Sequence, residues 1–157
     1  MGWCSIQGLE YLLRIVLAAV CGGAIGFERE RRSKSAGIRT HIIVALSAAL
    51  MMVVSKYGFF DVIGLGGISL DASRVAAGVV TAIGFLGVGV IFTHGRTASG
   101  VTTAAGLWAT VAVGRAVGAG TYVTGGGSQG LLVPLQVIFH RPAPLVQTHR
   151  TGPAYPA

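Results

Sequence analysis

The sequence predicts an all-α fold, a polytopic transmembrane helix bundle of four to five spans with its N-terminus outside. Apolar residues make up 52% of the 157 residues and charged residues only 11%, less than half of what a soluble domain carries. Several apolar runs reach the roughly 20 residues that cross the hydrocarbon core of a bilayer. Short charged clusters separate these runs. This composition argues against a soluble enzyme, a secreted disulfide scaffold and a disordered chain.

The apolar runs give the boundaries of the spans. The predicted spans cover residues 9–27, 38–57, 75–93 and 101–119. A fifth span over residues 121–139 is left open, because the stretch is uncharged but contains several glycines and Pro134, which disfavour a helix. Residues 1–139 then form the membrane domain. The proline-rich residues 140–157 are predicted to be a disordered tail.

The basic residues indicate the orientation. The links after the first and third spans carry more lysine and arginine than the opposite side, and the positive-inside rule places these links in the cytoplasm. The net charge of +7 does not predict a nucleic-acid partner. Its basic residues lie in short clusters between apolar runs, where they can contact the headgroups of the lipid bilayer.

Small residues at four-residue spacing predict close packing between spans. Helices that carry such pairs can bring their backbones together in lipid. The pairs are Gly22/Gly26, Gly78/Ala82 and Gly114/Gly118.

Acidic residues are few, and three of them fall on the predicted outer side. If Glu10, Asp61 and Asp71 meet, they could form a weak Mg²⁺ site, since this ion prefers carboxylate oxygens and keeps several of its waters. The alternative is structural: Glu10 pairs with Arg14 four residues on, and Asp71 caps a helix. We expect no other cofactor.

The predicted cytoplasmic end brings Glu28 and Glu30 beside Arg39 and His41 if the first two spans form a hairpin. This arrangement fits an ion-paired interfacial cluster, a contact surface for a protein partner, or a proton or cation gate. No catalytic set of recognised spacing occurs in the sequence, so we expect the protein not to be an enzyme.

Ordered motifs carry a resemblance to a known family. They are Gly22-Gly-Ala-Ile-Gly-Phe-Glu-Arg-Glu30, Ala36-Gly-Ile-Arg-Thr-His41, Asp71-x-x-Arg74-Val-Ala-Ala leading into Ile83-Gly-Phe-Leu-Gly-Val-Gly89, and Gly100-Val-Thr-Thr-Ala-Ala-x-Leu-Trp108. Across residues 9–120 the chain resembles the MgtC/SapB family of bacterial inner-membrane proteins.

The resemblance implies a multi-pass protein of the bacterial inner membrane with about five spans. Members are linked to growth at low Mg²⁺ and to the survival of pathogens inside macrophages, and some are reported to act on the F-type ATP synthase. Many members are described as Mg²⁺ transporters. The first hypothesis is therefore a non-enzymatic regulator of Mg²⁺ homeostasis that binds another inner-membrane protein, with a homo-oligomer as a further option. The second is a transporter of Mg²⁺ or another cation.

The resemblance also implies site residues. The expected partner-binding cluster is Glu28, Arg29, Glu30, Arg39, Thr40 and His41. The expected outer motif at a helix start, with a possible cation site, is Asp71 and Arg74. The expected helix-packing residues are Gly22, Gly26, Gly84, Gly87, Thr102, Thr103 and Trp108.

Overall fold

The computed structural model describes residues 2–59, 61, 71–94 and 97–138, without the side chains of residues 2–5, 93, 94, 97 and 98. These residues form five α-helices and one short hairpin. The elements are α1 (Gly2–Arg31), α2 (Ile38–Tyr57), α3 (Ser73–Gly89), β1 (Phe92–His94), β2 (Thr97–Ser99), α4 (Val101–Gly118) and α5 (Tyr122–Ile138). The predicted all-α fold class is confirmed.

The helices have the length and surface of membrane spans. Three segments of the described residues are long and apolar enough to cross a bilayer: Ile6–Arg31, Ile38–Tyr57 and Ser73–Val90. Helices α4 and α5 contain 18 and 17 residues. All five helices expose large apolar side chains on their outer faces. Contact of these side chains with water costs free energy, whereas contact with lipid does not. The outside location of the N-terminus stays a prediction.

Helix α2 lies against α1 through two glycines. A Cβ added at Gly22 would collide with the carbonyl oxygen of His41 and would lie 2.7 Å from the Cβ of Ala45. A Cβ added at Gly26 would lie 2.6 Å from the Cα of Ile38. The backbones of the two helices are therefore in direct contact, as small-residue pairs allow.

Helix α4 covers another side of α2 in the same way. A Cβ at Gly114 would lie 2.5 Å from the carbonyl oxygen of Ala45, and one at Gly118 would lie 2.6 Å from that of Ala49. Helix α2 is thus held between two glycine faces. The buried apolar clusters around it are small: Ala36, Ala48, Ile83, Leu107 and Val111 form one, and Ala18, Ala49 and Val117 form the other.

The fifth predicted segment does form a helix. Near its start Gly125 packs on Val117 of α4, where an added Cβ would lie 3.0 Å from a methyl group. Further along, the Gln129 amide donates to the Cys21 carbonyl oxygen of α1 at 3.1 Å. Gly125 therefore lets α5 approach α4, while a Cβ added at Gly126, Gly127 or Gly130 would meet nothing within 4 Å.

The third span differs from the prediction at its end. Helix α3 stops at Gly89, not at residue 93, and the chain turns through the β1–β2 hairpin, in which Phe92 pairs with Ser99. Gly100 follows with φ of 86°, and a Cβ there would strike the Val90 carbonyl oxygen. A glycine is required at this junction. The predicted tail, residues 140–157, lies outside the described residues.

Candidate functional site

The charged end of the bundle lies where α1 leads into α2, and its central group is the largely buried carboxylate of Glu28. Glu28 forms ion pairs with Arg32, one turn later, and with Arg29, whose Nε lies 3.5 Å from Glu28 Oε2. The Glu28 side chain is 11% exposed and that of Arg29 only 7%. Two guanidinium groups therefore share one carboxylate, and the local charge stays positive.

Glu30 has a different role. Its Oε2 accepts a hydrogen bond from the Ile38 backbone N–H at 2.9 Å. This N–H is the first of α2 and has no partner within the helix, and a negative charge is favoured at that end of the helix dipole. Glu30 thus fixes the entry into α2.

His41 lies inside the bundle and is fully buried. Its Nδ1 lies 2.7 Å from the Thr110 hydroxyl, which donates to the Gly106 carbonyl oxygen at 2.9 Å. The expectation that His41 contributes to a partner-binding surface is therefore corrected: the side chain links α2 to α4. Arg29 is buried as well, whereas Arg39 and Thr40 are exposed and remain accessible to a partner.

The opposite end of the bundle contains a cluster that the sequence analysis missed in part. Arg14 is 8% exposed, pairs with Glu10, and donates to the Tyr57 hydroxyl at 3.0 Å and to the Gly118 carbonyl oxygen at 3.3 Å. The rings of Tyr11 and Tyr57 stack 4.6 Å apart. The signal available in the sequence was a tyrosine near the start of the first span and another at the end of the second, which a hairpin of the two spans brings to the same side of the membrane.

The two remaining acidic residues are exposed. Asp71 Oδ1 accepts hydrogen bonds from the Ser73 backbone N–H and hydroxyl at 2.9 and 2.6 Å, and Arg74 lies 3.8 Å from Oδ2. The bonds from Ser73 and then the Arg74 charge hold the pKa of Asp71 below its ordinary value. Asp61 is solvent-exposed. Asp71 therefore orders the start of α3.

No metal site is assembled in the part of the chain that is described. Within it, no group of three or more His, Cys, Asp or Glu side chains could hold a metal ion. The Glu10 carboxylate, one of the three candidate ligands, is taken up by Arg14.

Helix α3 leaves most of its glycines uncovered. A Cβ added at Gly78, Gly84 or Gly89 would meet nothing within 4 Å, and one at Gly87 would make only an ordinary contact, 3.7 Å from Ala104. Gly84 therefore packs against no described helix, and its expected role in helix packing stays a prediction. Gly84 and Gly89 are therefore open, whereas Gly78 borders a cavity between α2 and α3.

Of the α4 residues that were expected to take part in helix packing, one is buried and two are exposed. Thr103 is buried and accepts a hydrogen bond from the Ser35 hydroxyl at 3.3 Å. Thr102 is exposed, and Trp108 keeps 54% of its surface accessible. Thr102 and Trp108 thus lie on the outside of the described bundle, and their role in helix packing stays a prediction.

The fold and the site define a polytopic helical membrane protein with a charged cluster at one end. The profile of the MgtC family matches residues 15–142, and the chain belongs to this family. It is 48% identical over 133 residues to "Putative magnesium transporter YhiD" of Escherichia coli (strain K12), covering 84% of this chain and 61% of that protein. It is 46% identical over 105 residues to "Protein MgtC" of Brucella abortus (strain 2308), covering 66% of this chain and 40% of that protein.

A third relative is "Protein SapB" of Bacillus subtilis (strain 168), 34% identical over 114 residues, which are 72% of this chain and 49% of that protein. The chain thus spans about half of the length of the curated relatives that it matches, from 40 to 61% in these three. No solved structure matches it.

Proposed function

We propose that this protein is a non-enzymatic regulator in Mg²⁺ homeostasis that acts in the bacterial inner membrane by binding another membrane protein. One observation carries the proposal: Gly84 of α3 is open, with nothing within 4 Å of an added Cβ. At about 100° per residue, Gly84, Phe85 and Val88 lie on one side of α3, and we define these three residues as the α3 glycine face.

A glycine face inside a membrane helix serves close approach of a second helix. In α1 and α4 the glycine faces are occupied by α2, down to backbone contact. Helix α3 is also rich in glycine, but no described helix lies in backbone contact with Gly84. Phe85 and Val88, 83% and 72% exposed, project from α3 and supply side chains for van der Waals packing. A membrane-spanning helix of another protein fits this face.

The connection with Mg²⁺ comes from relatives. The Escherichia coli relative is named a "Putative magnesium transporter", and the family resemblance points to growth at low Mg²⁺ and to virulence. The resemblance also supplies the first partner to test, a membrane subunit of the F-type ATP synthase. A second copy of this chain is the alternative occupant.

Transport of Mg²⁺ by the chain itself is the weaker candidate. A carrier needs oxygen ligands within the membrane. Helices α2, α3, α4 and α5 contain no Asp or Glu, and Glu10 is already paired with Arg14. The distribution of acidic residues therefore favours binding of a partner protein over transport of Mg²⁺.

The test replaces Gly84 by leucine in a strain that depends on this protein for growth at low Mg²⁺. Gly84→Leu should abolish growth rescue while leaving the level and helicity of the protein unchanged, because space around residue 84 is open in the bundle. Gly8→Leu is the matched control, since Gly8 is equally open but lies on α1. A photo-crosslinker at position 84 should join the chain to the ATP synthase subunit. Full rescue by Gly84→Leu, with no crosslink to any membrane protein, would refute the proposal.

A further inference from the structure

A second feature of the charged end lies outside the α3 glycine face. A cavity of about 330 Å³ opens between α1, α4 and α5. We call it the Arg29 cavity. Six of its lining residues matter for what it can bind: Arg29, Lys34, Gly106, Leu132, Leu135 and Gln136.

The cavity has a cationic end. Arg29 is 6% exposed, and its guanidinium lies flat on Gly106, where an added Cβ would be 3.4 Å from Nε. Arg29 Nε makes no hydrogen bond, and its one carboxylate neighbour among the described residues is Glu28 at 3.5 Å. Because Glu28 also pairs with Arg32, the Arg29 charge is incompletely neutralised. Half-buried Lys34 adds a second cation to the wall.

The rest of the wall is mostly apolar, with one hydroxyl, that of Thr102, and one amide, that of Gln136. Leu132 and Leu135 of α5 line the cavity, and Leu135 is 55% exposed on the outside of the bundle, where the acyl chains lie. Gln136 lines it too, and its Oε1 is buried without a hydrogen-bond partner. A buried acceptor of this kind costs free energy unless a ligand satisfies it.

We infer that the Arg29 cavity binds one anionic glycerophospholipid with a hydroxylated headgroup, of the phosphatidylglycerol type. The phosphate lies at Arg29 and Lys34, a headgroup hydroxyl donates to Gln136 Oε1, and an acyl chain follows Leu132 and Leu135. Charge-assisted hydrogen bonds from Arg and Lys are the strong contacts to phosphate. The predicted cytoplasmic location of this end places it in the leaflet that is rich in anionic lipid.

Chemistry separates this lipid from the alternatives. Phosphatidylcholine has no headgroup donor for Gln136 and carries a cation that Arg29 and Lys34 would repel. Free phosphate satisfies the cations but leaves the leucine wall uncovered. A zwitterionic lipid and a free anion are therefore both expected to bind more weakly than phosphatidylglycerol.

The test is native mass spectrometry of the full chain in detergent, titrated with dioleoyl phosphatidylglycerol or with dioleoyl phosphatidylcholine. The 1:1 adduct should form at about tenfold lower concentration with phosphatidylglycerol, as one additional hydrogen bond to the otherwise unpaired Gln136 Oε1 predicts. Millimolar inorganic phosphate should not displace it. Equal affinity for the two lipids, or displacement by phosphate, would overturn the inference.

Variants place the site. Arg29→Gln should remove the preference, and Lys34→Gln should weaken it without the risk of disturbing a buried group. Arg31→Gln is the matched control: it removes one cation from the same end of α1, but Arg31 is exposed, packs over Phe27 and does not line the cavity. An equal loss in Lys34→Gln and Arg31→Gln would show general attraction of anionic lipid and would contradict a defined site.

Discussion

The imidazole of His41 and the hydroxyl of Thr110 lie 2.7 Å apart in the interior of the bundle and join α2 to α4. Both side chains are fully buried. A polar pair in this position fixes how the two helices are aligned along their length, because sliding either helix would leave the imidazole without its partner in an apolar surrounding.

Replacement of the Thr110 hydroxyl by a methyl group should therefore destabilise the protein. Thr110→Val keeps the volume but removes the partner of His41, and we expect a loss of about 1–2 kcal/mol in the free energy of unfolding. Denaturation of the purified protein in mixed micelles measures it. Thr110→Ser, which keeps the hydroxyl, should lose less. Equal losses in the two variants would assign the effect to packing instead of the hydrogen bond.

Close contact of α1 with α2 makes a second prediction. Gly22→Ala places a Cβ against the His41 carbonyl oxygen, so the helices must separate, and we expect destabilisation of about 1–3 kcal/mol. Gly8→Ala on the same helix meets nothing within 4 Å and should be neutral or stabilising by up to about 1 kcal/mol. The same denaturation assay compares them. A Gly22→Ala variant as stable as Gly8→Ala would contradict the backbone contact.

Arg14 supports the C-terminal end of α4, where it donates to the Gly118 carbonyl oxygen while Lys56 donates to that of Ala119. Arg14→Met should leave the Gly118 carbonyl without its donor and speed amide hydrogen exchange in the last turn of α4. Glu10→Gln should change exchange there much less, because the Glu10 side chain is 52% exposed and an exposed ion pair contributes under about 1 kcal/mol. A larger effect of Glu10→Gln than of Arg14→Met would show that the carboxylate, not the arginine, holds this end together.

The start of α3 should respond to acid. Hydrogen bonds from Ser73 lower the pKa of Asp71 in the folded protein, so the contribution of the ionised carboxylate is present above its unfolded pKa. That contribution is lost as the pH falls through the lowered folded value. Ser73→Ala should raise the pKa of Asp71 toward its ordinary value, as a carboxyl carbon NMR titration in bicelles would record. An unchanged titration midpoint would rule out the Ser73 hydroxyl as the cause.

Much of the fold follows from the sequence, as two elements illustrate. The predicted second span, 38–57, coincides with α2, because Gly37 precedes its first residue and an uninterrupted apolar run follows. The third was predicted to end at residue 93, four residues beyond the observed end at Gly89, because β-branched and aromatic residues 91–93 prolong the apolar pattern although the backbone has entered a hairpin. A run of apolar residues indicates that a segment is buried in lipid or protein. It does not indicate whether the backbone hydrogen bonds of that segment are those of a helix or of a hairpin.

The candidate site was harder to predict. A histidine next to charged residues suggested a surface cluster, whereas His41 is buried; its partner Thr110 is 69 residues away, and nothing local indicates the pairing. The glycines were recognised as a packing signal, but spacing alone does not say which face is occupied. Gly22 and Gly26 of α1 and Gly114 and Gly118 of α4 contact α2, while Gly84 of α3 is open. Only the relative rotation of the helices distinguishes these cases.

The central claim is that the chain binds a partner and does not itself carry Mg²⁺. The most direct measurement reconstitutes the purified protein in sealed liposomes with a Mg²⁺-sensitive dye inside and follows influx, with Asp71→Ala as the comparison. The account predicts no protein-dependent influx from well-folded protein and no difference between the two. Influx that Asp71→Ala abolishes would contradict it and would place Asp71 on a transport path.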